Sequence, residues 1–122
     1  NKSISVCKAF RVGTDSPSVD TAPYTPFIDS ILLDTYIKGV EGGTGDCFDW
    51  RLIDSLDIER PLILAGGLAP GNIWEALDKV SPFAVDVNSG VEDAPGIKNH
   101  QKLSKLVALV ADYDSHRRQR SL

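Results

Sequence analysis

Four strand-length apolar runs alternate with segments of helix spacing, and that alternation leaves few folds open to the chain. The runs are SISVCKAFRV (3–12), SILLDT (30–35), PLILAG (61–66) and SPFAVDVNSG (81–90). Each is aliphatic or β-branched on both faces, as a parallel strand covered by helices is. Ile73, Ala76, Leu77 and Val80 fall at i, i+3, i+4 and i+7, with Gly71 and Asn72 placed to cap. Asp49 can cap a helix whose apolar side is Leu52, Ile53 and Leu56. Leu103, Leu106, Val107 and Val110 stripe a last helix, with Asn99 before it. Residues 15–29 hold Pro17, Pro23 and Pro26, which leaves room for one or two turns. The order βαβαβαβα predicts an α/β fold with right-handed crossovers.

Two architectures accept that order: an open doubly wound sheet, or part of a (β/α)8 barrel. No strand–helix turn carries the GxGxxG pattern of dinucleotide binding. Instead, Asp34, Gly66-Gly67 and Asn88-Ser89-Gly90 sit at the C-terminal ends of three different strands, which is the habit of a barrel. A whole barrel takes eight such units and about 250 residues. Four units in 122 residues therefore predict half of a single barrel domain, filling residues 1–122. The chain opens at Asn1 and contains no Met, which fits a processed, cut or incomplete chain.

Composition narrows the partners. With 42% hydrophobic residues the chain can form one compact core. The net charge is −4, and no basic run or basic–aromatic stripe is present, so nucleic acid is not an expected partner. The cationic end SHRRQRSL reads as a solvated terminus. No apolar stretch approaches the roughly 20 residues that span a bilayer, and no secretory pattern opens the chain. Cys7 and Cys47 lack CxxC or histidine spacing, so neither a disulfide nor a metal site is expected; both read as packing thiols in a cytoplasmic protein.

LLDT (32–35), GGTGDCFDW (42–50), LILAGGLAPGN (62–72), PFAVDVNSGVE (82–92) and PGIKNHQKL (95–103) together resemble the C-terminal half of the phosphoribosylanthranilate isomerase family. The resemblance runs from about residue 4 to 110 and implies the fifth to eighth units of one (β/α)8 barrel. It implies an Amadori rearrangement in tryptophan biosynthesis, from N-(5-phosphoribosyl)anthranilate to 1-(2-carboxyphenylamino)-1-deoxyribulose 5-phosphate, with no metal or organic cofactor. A general acid protonates the furanose oxygen and opens the ring to a Schiff base; a general base then takes the proton from C2. The family's base is a cysteine on the first barrel strand, in a motif this chain does not contain. Cys7 lies in the fifth-strand segment and does not inherit that role. An anthranilate-contacting arginine from an early strand is likewise absent.

Within this frame, Gly66 and Gly67 can let backbone amides approach a phosphate, since barrels often bind phosphate in the loops after their last two strands. Asn88, Ser89 and Gly90 supply matching donors, and a helix start after either loop would add a favourable dipole. The alternative is that these glycines only make tight turns. The resemblance makes Asp34 the general acid. Strand alternation puts Asp34 on one face with Leu32, and apolar surroundings favour the neutral carboxyl that a proton donor needs. Without the motif, Asp34 reads as an aspartate tying down a turn. Asp86, within AVDV, either orients ligand at the barrel mouth or forms a structural ion pair. Gly42, Gly43, Thr44 and Gly45 read as a mobile loop over the site. The family often carries Lys after this loop, where this chain has Asp46. Asn88 replaces the family's usual serine and keeps a side-chain donor. Lys8 and Arg11 lie on opposite faces of the first strand, so one of them faces the mouth. His100 reads as a helix-start residue.

Three functions remain open at this point. The chain can be the acid- and phosphate-bearing half of the isomerase, binding a phosphosugar once a missing N-terminal half-barrel covers it. It can be an inactive half-barrel whose bare edges pair in a homodimer. Or it can belong to another phosphosugar isomerase, such as that of histidine biosynthesis.

Overall fold

The structure, a computed structural model, describes residues 4–13, 19–35 and 48–121. Strands β1 (Cys7–Arg11), β2 (Ser30–Asp34), β3 (Leu62–Ala65) and β4 (Ala84–Asp86) form one sheet in sequence order, every neighbouring pair parallel. Helix α1 (Ile73–Val80), a 3-10 helix (Trp50–Ser55) and helix α2 (His100–Arg120) supply the packing layer. Alternation sorts the strand residues. Ile31, Leu33 and Leu64 are fully buried and join Trp50, Ile53, Ile73, Ala76, Leu77 and Leu106 in the core. The opposite face carries Ala9, Leu32, Ile63 and Ala84, none of which belongs to that core. Among the described residues, then, the sheet is packed on one face and open on the other.

Helix α1 follows from its spacing: Ile73, Ala76 and Leu77 are buried, and Lys79 pairs with Glu75 on the solvent side at 2.6 Å. Asn99 caps α2 as its sequence suggests, accepting from the Lys102 N–H at 2.9 Å, and His100 is the first residue of that helix. The expected stripe on α2 is covered only in part. Leu106 is buried, whereas Leu103 and Val107 are 40% and 60% exposed. An apolar groove of about 440 Å³ runs between α2 and β4, lined by Val85, Val87, Leu106, Val107 and Val110.

Several expectations are corrected. The segment capped by Asp49 is a six-residue 3-10 helix, and only Ile53 of its expected apolar side is buried. Within 19–29, in keeping with the sequence, the expected room for a turn is used by one 3-10 turn (Thr25–Phe27) around Pro26. The fourth run is a strand for only three residues, Ala84–Asp86. After it comes an element absent from the sequence reading, an antiparallel hairpin of β5 (Glu92–Ala94) and β6 (Ile97–Lys98). Its turn has Pro95 followed by Gly96 at φ +80°, the residues a type II turn requires. Cys7 is exposed, because it lies on the uncovered face of β1. No helix among the described residues is long and apolar enough to cross a membrane, and they form no cluster able to hold a metal.

Candidate active site

Register brings the chemistry together. Arg11 pairs with Asp34, Asp34 with Ala65, and Ala65 with Asp86, so these four stand side by side at the C-terminal edge of the sheet. Neighbouring strands lie about 4.8 Å apart, which sets the Asp34 and Asp86 backbones about 10 Å apart with small Ala65 between them. Above this row is a pocket of about 250 Å³. Asp34, Gly66, Gly67, Asp86, Asn88 and Ser89 all line it, beside Leu32, Ala65 and Leu68.

The glycine loop is held from behind. Buried Thr35 donates through Oγ1 to the carbonyls of Ala65 (3.0 Å) and Gly66 (3.1 Å). Asn72, 7% exposed, donates to the Gly67 carbonyl and accepts from the Ala69 N–H, both at 2.8 Å. A trans peptide unit points its C=O and N–H in opposite directions. Fixing the carbonyls of Gly66 and Gly67 toward buried partners therefore turns the N–H groups of Gly67 and Leu68 the other way. Among the described residues no acceptor meets the N–H of Gly67, Leu68, Ser89 or Gly90. Gly66 and Gly67 have φ of +91° and +65°, conformations that favour glycine, and nothing lies within 4 Å of where a Cβ on Gly67 would be. Gly90 differs. A Cβ there would sit 1.8 Å from the Leu68 carbonyl oxygen, so this glycine lets the two loops touch.

A family model described as N-(5'phosphoribosyl)anthranilate (PRA) isomerase matches residues 1–109. The chain belongs to this family. The N-(5'-phosphoribosyl)anthranilate isomerase of Magnetococcus marinus is 47% identical over 103 residues, covering 84% of this chain and 48% of that protein. The crystal structure of phosphoribosyl anthranilate isomerase from Thermotoga maritima superposes with a TM-score of 0.71 at 39% identity, over 91% of this chain and 53% of that one. A phosphoribosyl anthranilate isomerase in complex with reduced 1-(o-carboxyphenylamino)-1-deoxyribulose 5-phosphate gives 0.61 at 38% identity, over 85% and 47% of the two chains. The structural neighbours are (β/α)8 barrels, and the parallel sheet with its helices agrees with them. The chain spans about half the length of the curated relatives it matches.

The residues expected for a phosphoribosylanthranilate isomerase site are distributed as follows. Asp34, Gly66, Gly67, Asp86, Asn88 and Ser89 share one pocket; Gly90 adjoins it without lining it. Asp86 enters no ion pair among the described residues. Asp34 shares its pocket with Leu32, Ala65 and Leu68, but it also faces a guanidinium that its neighbours in sequence do not reveal. Its side chain is 32% exposed and lies 3.6 Å from the Arg11 guanidinium, because Arg11 is its partner on β1. Arg11 is thus the cation facing the mouth, while Lys8 stacks over the rings of Phe10 and Tyr24 on the other side. Only a three-residue 3-10 turn (Ser89–Val91) follows β4, too short for a helix dipole to matter. Gly42, Gly43, Thr44, Gly45, Asp46 and Cys47 lie outside the described residues.

Sequence reasoning missed the work of Thr35 and Asn72. Spacing makes Asn72 a cap, yet its side chain makes no cap bond and reaches back into the loop. Asn72→Ala leaves the Ala69 N–H and the Gly67 carbonyl without partners in a buried setting. We expect a loss of about 2–3 kcal/mol in stability, read from denaturant midpoints.

Proposed function

We propose that the chain is the acid- and phosphate-bearing half of a phosphoribosylanthranilate isomerase barrel, acting on N-(5-phosphoribosyl)anthranilate in tryptophan biosynthesis. The observation that supports it most is the pocket setting Asp34 one strand away from a loop of unsatisfied amides. A phosphate monoester gripped by the Gly67, Leu68, Ser89 and Gly90 N–H groups directs its sugar toward Asp34, and the positive potential is local, made by backbone in a chain of net charge −4.

Asp34 gives its proton to the furanose ring oxygen. The C1–O bond breaks, and the anilino nitrogen lone pair forms the C1=N bond of a protonated Schiff base. Removal of the C2 proton moves that electron pair into C1=C2 and neutralises the nitrogen. The enaminol then takes a proton at C1 and loses one from its hydroxyl to become the C2 ketone. Substrate and product are isomers, so no electron acceptor enters. Arg11 faces the carboxylate that Asp34 becomes and stabilises it. Asp86, on the far side of Ala65, orients the sugar.

The base for C2 comes from units outside this chain. Cys7 is at the other end of β1, four residues from Arg11 and so about 13 Å away. The same N-terminal units cover the open sheet face and the free edges of β1 and β4. Joining the N-terminal half of the Magnetococcus marinus relative to this chain is expected to give turnover of phosphoribosylanthranilate, with none from the 122 residues alone. Turnover by the chain alone rejects the division of labour. Turnover of the histidine-pathway counterpart in preference rejects the substrate. A stable homodimer that stays inactive when joined favours the self-associating half-barrel.

A further inference from the structure

We infer that Lys98 is a positioning residue for the anion site: from behind the loop after β4, it turns the side-chain amide of Asn88 and the N–H of Ser89 toward the pocket. This role rests on the phosphate reading above and adds to it a residue that does not line the pocket.

Lys98 ends the hairpin strand β6, and its ammonium donates to Asn88 Oδ1, to the Asn88 carbonyl at 3.2 Å and to Glu92 Oε1 at 2.6 Å. An ammonium has three hydrogens and accepts nothing. All three are committed within the protein, so Lys98 has none left for a ligand. Because Lys98 can only donate, the oxygen of the Asn88 amide must be the atom facing it. Nδ2, with its two hydrogens, is left on the far side and makes no hydrogen bond among the described residues. The backbone obeys the same logic. Lys98 and the Val91 N–H both hold the Asn88 carbonyl, and the trans peptide sends the Ser89 N–H the opposite way. One cation therefore aims two donors.

Glu92 keeps the cation in place. Its side chain is only 10% exposed, and the hydrogen bond from Lys98 holds its carboxyl below the ordinary range, against the opposing effect of burial. The pair is neutral overall, which leaves direction rather than net charge as what Lys98 contributes.

The test is titration of the 122-residue chain with glycerol phosphate, followed through its ¹H–¹⁵N spectrum. The wild type is expected to shift at Gly67, Leu68, Ser89 and Gly90. Lys98→Met is expected to bind about tenfold more weakly, which is one hydrogen bond to a charged ligand. Its Ser89 shift is lost, while those of Gly67 and Leu68 persist. Asn88→Ala weakens binding comparably, and the double variant is scarcely weaker than the worse single one, since both act on the same contact. Lys98→Gln gives a second variant that keeps hydrogen bonding to the hairpin but can also accept, so it no longer dictates how the Asn88 amide points; it is expected to weaken binding as well. Additive losses in the double variant would show a mere brace and overturn the inference, as would wild-type affinity in both Lys98 variants. If phosphate moves none of the four amides in the wild type, the phosphate reading itself falls and takes this role with it.

Discussion

Asp34→Asn is expected to lower kcat of the joined barrel by about 10²- to 10⁴-fold, the range that a positioned general acid contributes, while phosphate affinity and KM stay put. Asparagine matches aspartate in shape but has no acidic proton to give to the ring oxygen. The ion pair it removes is an exposed one: Arg11 is 76% and Asp34 32% exposed, at 3.6 Å. Such pairs contribute about 0–1 kcal/mol, so losing this pair costs the fold little. An effect confined to kcat marks a group needed in the transition state. If kcat holds and only stability falls, Asp34 is the turn-tying aspartate that its position alone would suggest.

The second large effect separates two glycines of the same site. Gly90→Ala is expected to cost about 3 kcal/mol, at the upper end for overpacking, because the new Cβ would meet the Leu68 carbonyl at 1.8 Å and the obstacle is backbone. The loops after β3 and β4 would have to part. Gly67→Ala meets nothing within 4 Å, and its φ of +65° costs a residue with a side chain about 1 kcal/mol. Its methyl nevertheless enters the space above the free amides, so phosphate affinity is expected to fall more than about tenfold, the loss of one or more charge-assisted hydrogen bonds. Denaturant midpoints and phosphate titrations on both variants decide the matter. Equal stability losses, or unchanged phosphate affinity in Gly67→Ala, would contradict these assignments.

The parallel strand order was legible in the chain because aliphatic runs such as ILL and LIL mark buried strands, but they are apolar on both faces, and only the pairing shows that one face is packed and the other open. The motif residues were legible too, and most of them meet in one pocket. What could not be read was which side chain stands beside which. Neither Lys8 nor Arg11 could be assigned to the mouth until pairing placed Arg11 opposite Asp34. The local text around Asp34 is apolar, whereas its cross-strand neighbour is a guanidinium. Asn72 looks like a helix cap from spacing alone; only the loop's course shows that its amide binds backwards. The hairpin after β4 leaves no strand pattern in the sequence, because two strands of three and two residues carry no alternation.

Parity along β2 has a consequence for how this protein can change. Successive strand residues look to opposite sides, so Asp34 reaches solvent only because it stands an even number of steps from Leu32. A one-residue insertion between Leu32 and Leu33 would turn the end of the strand inside out, sending Asp34 beneath the helices and Leu33 into the cavity. Evolution can lengthen the connections freely, but within the staves it must count in twos.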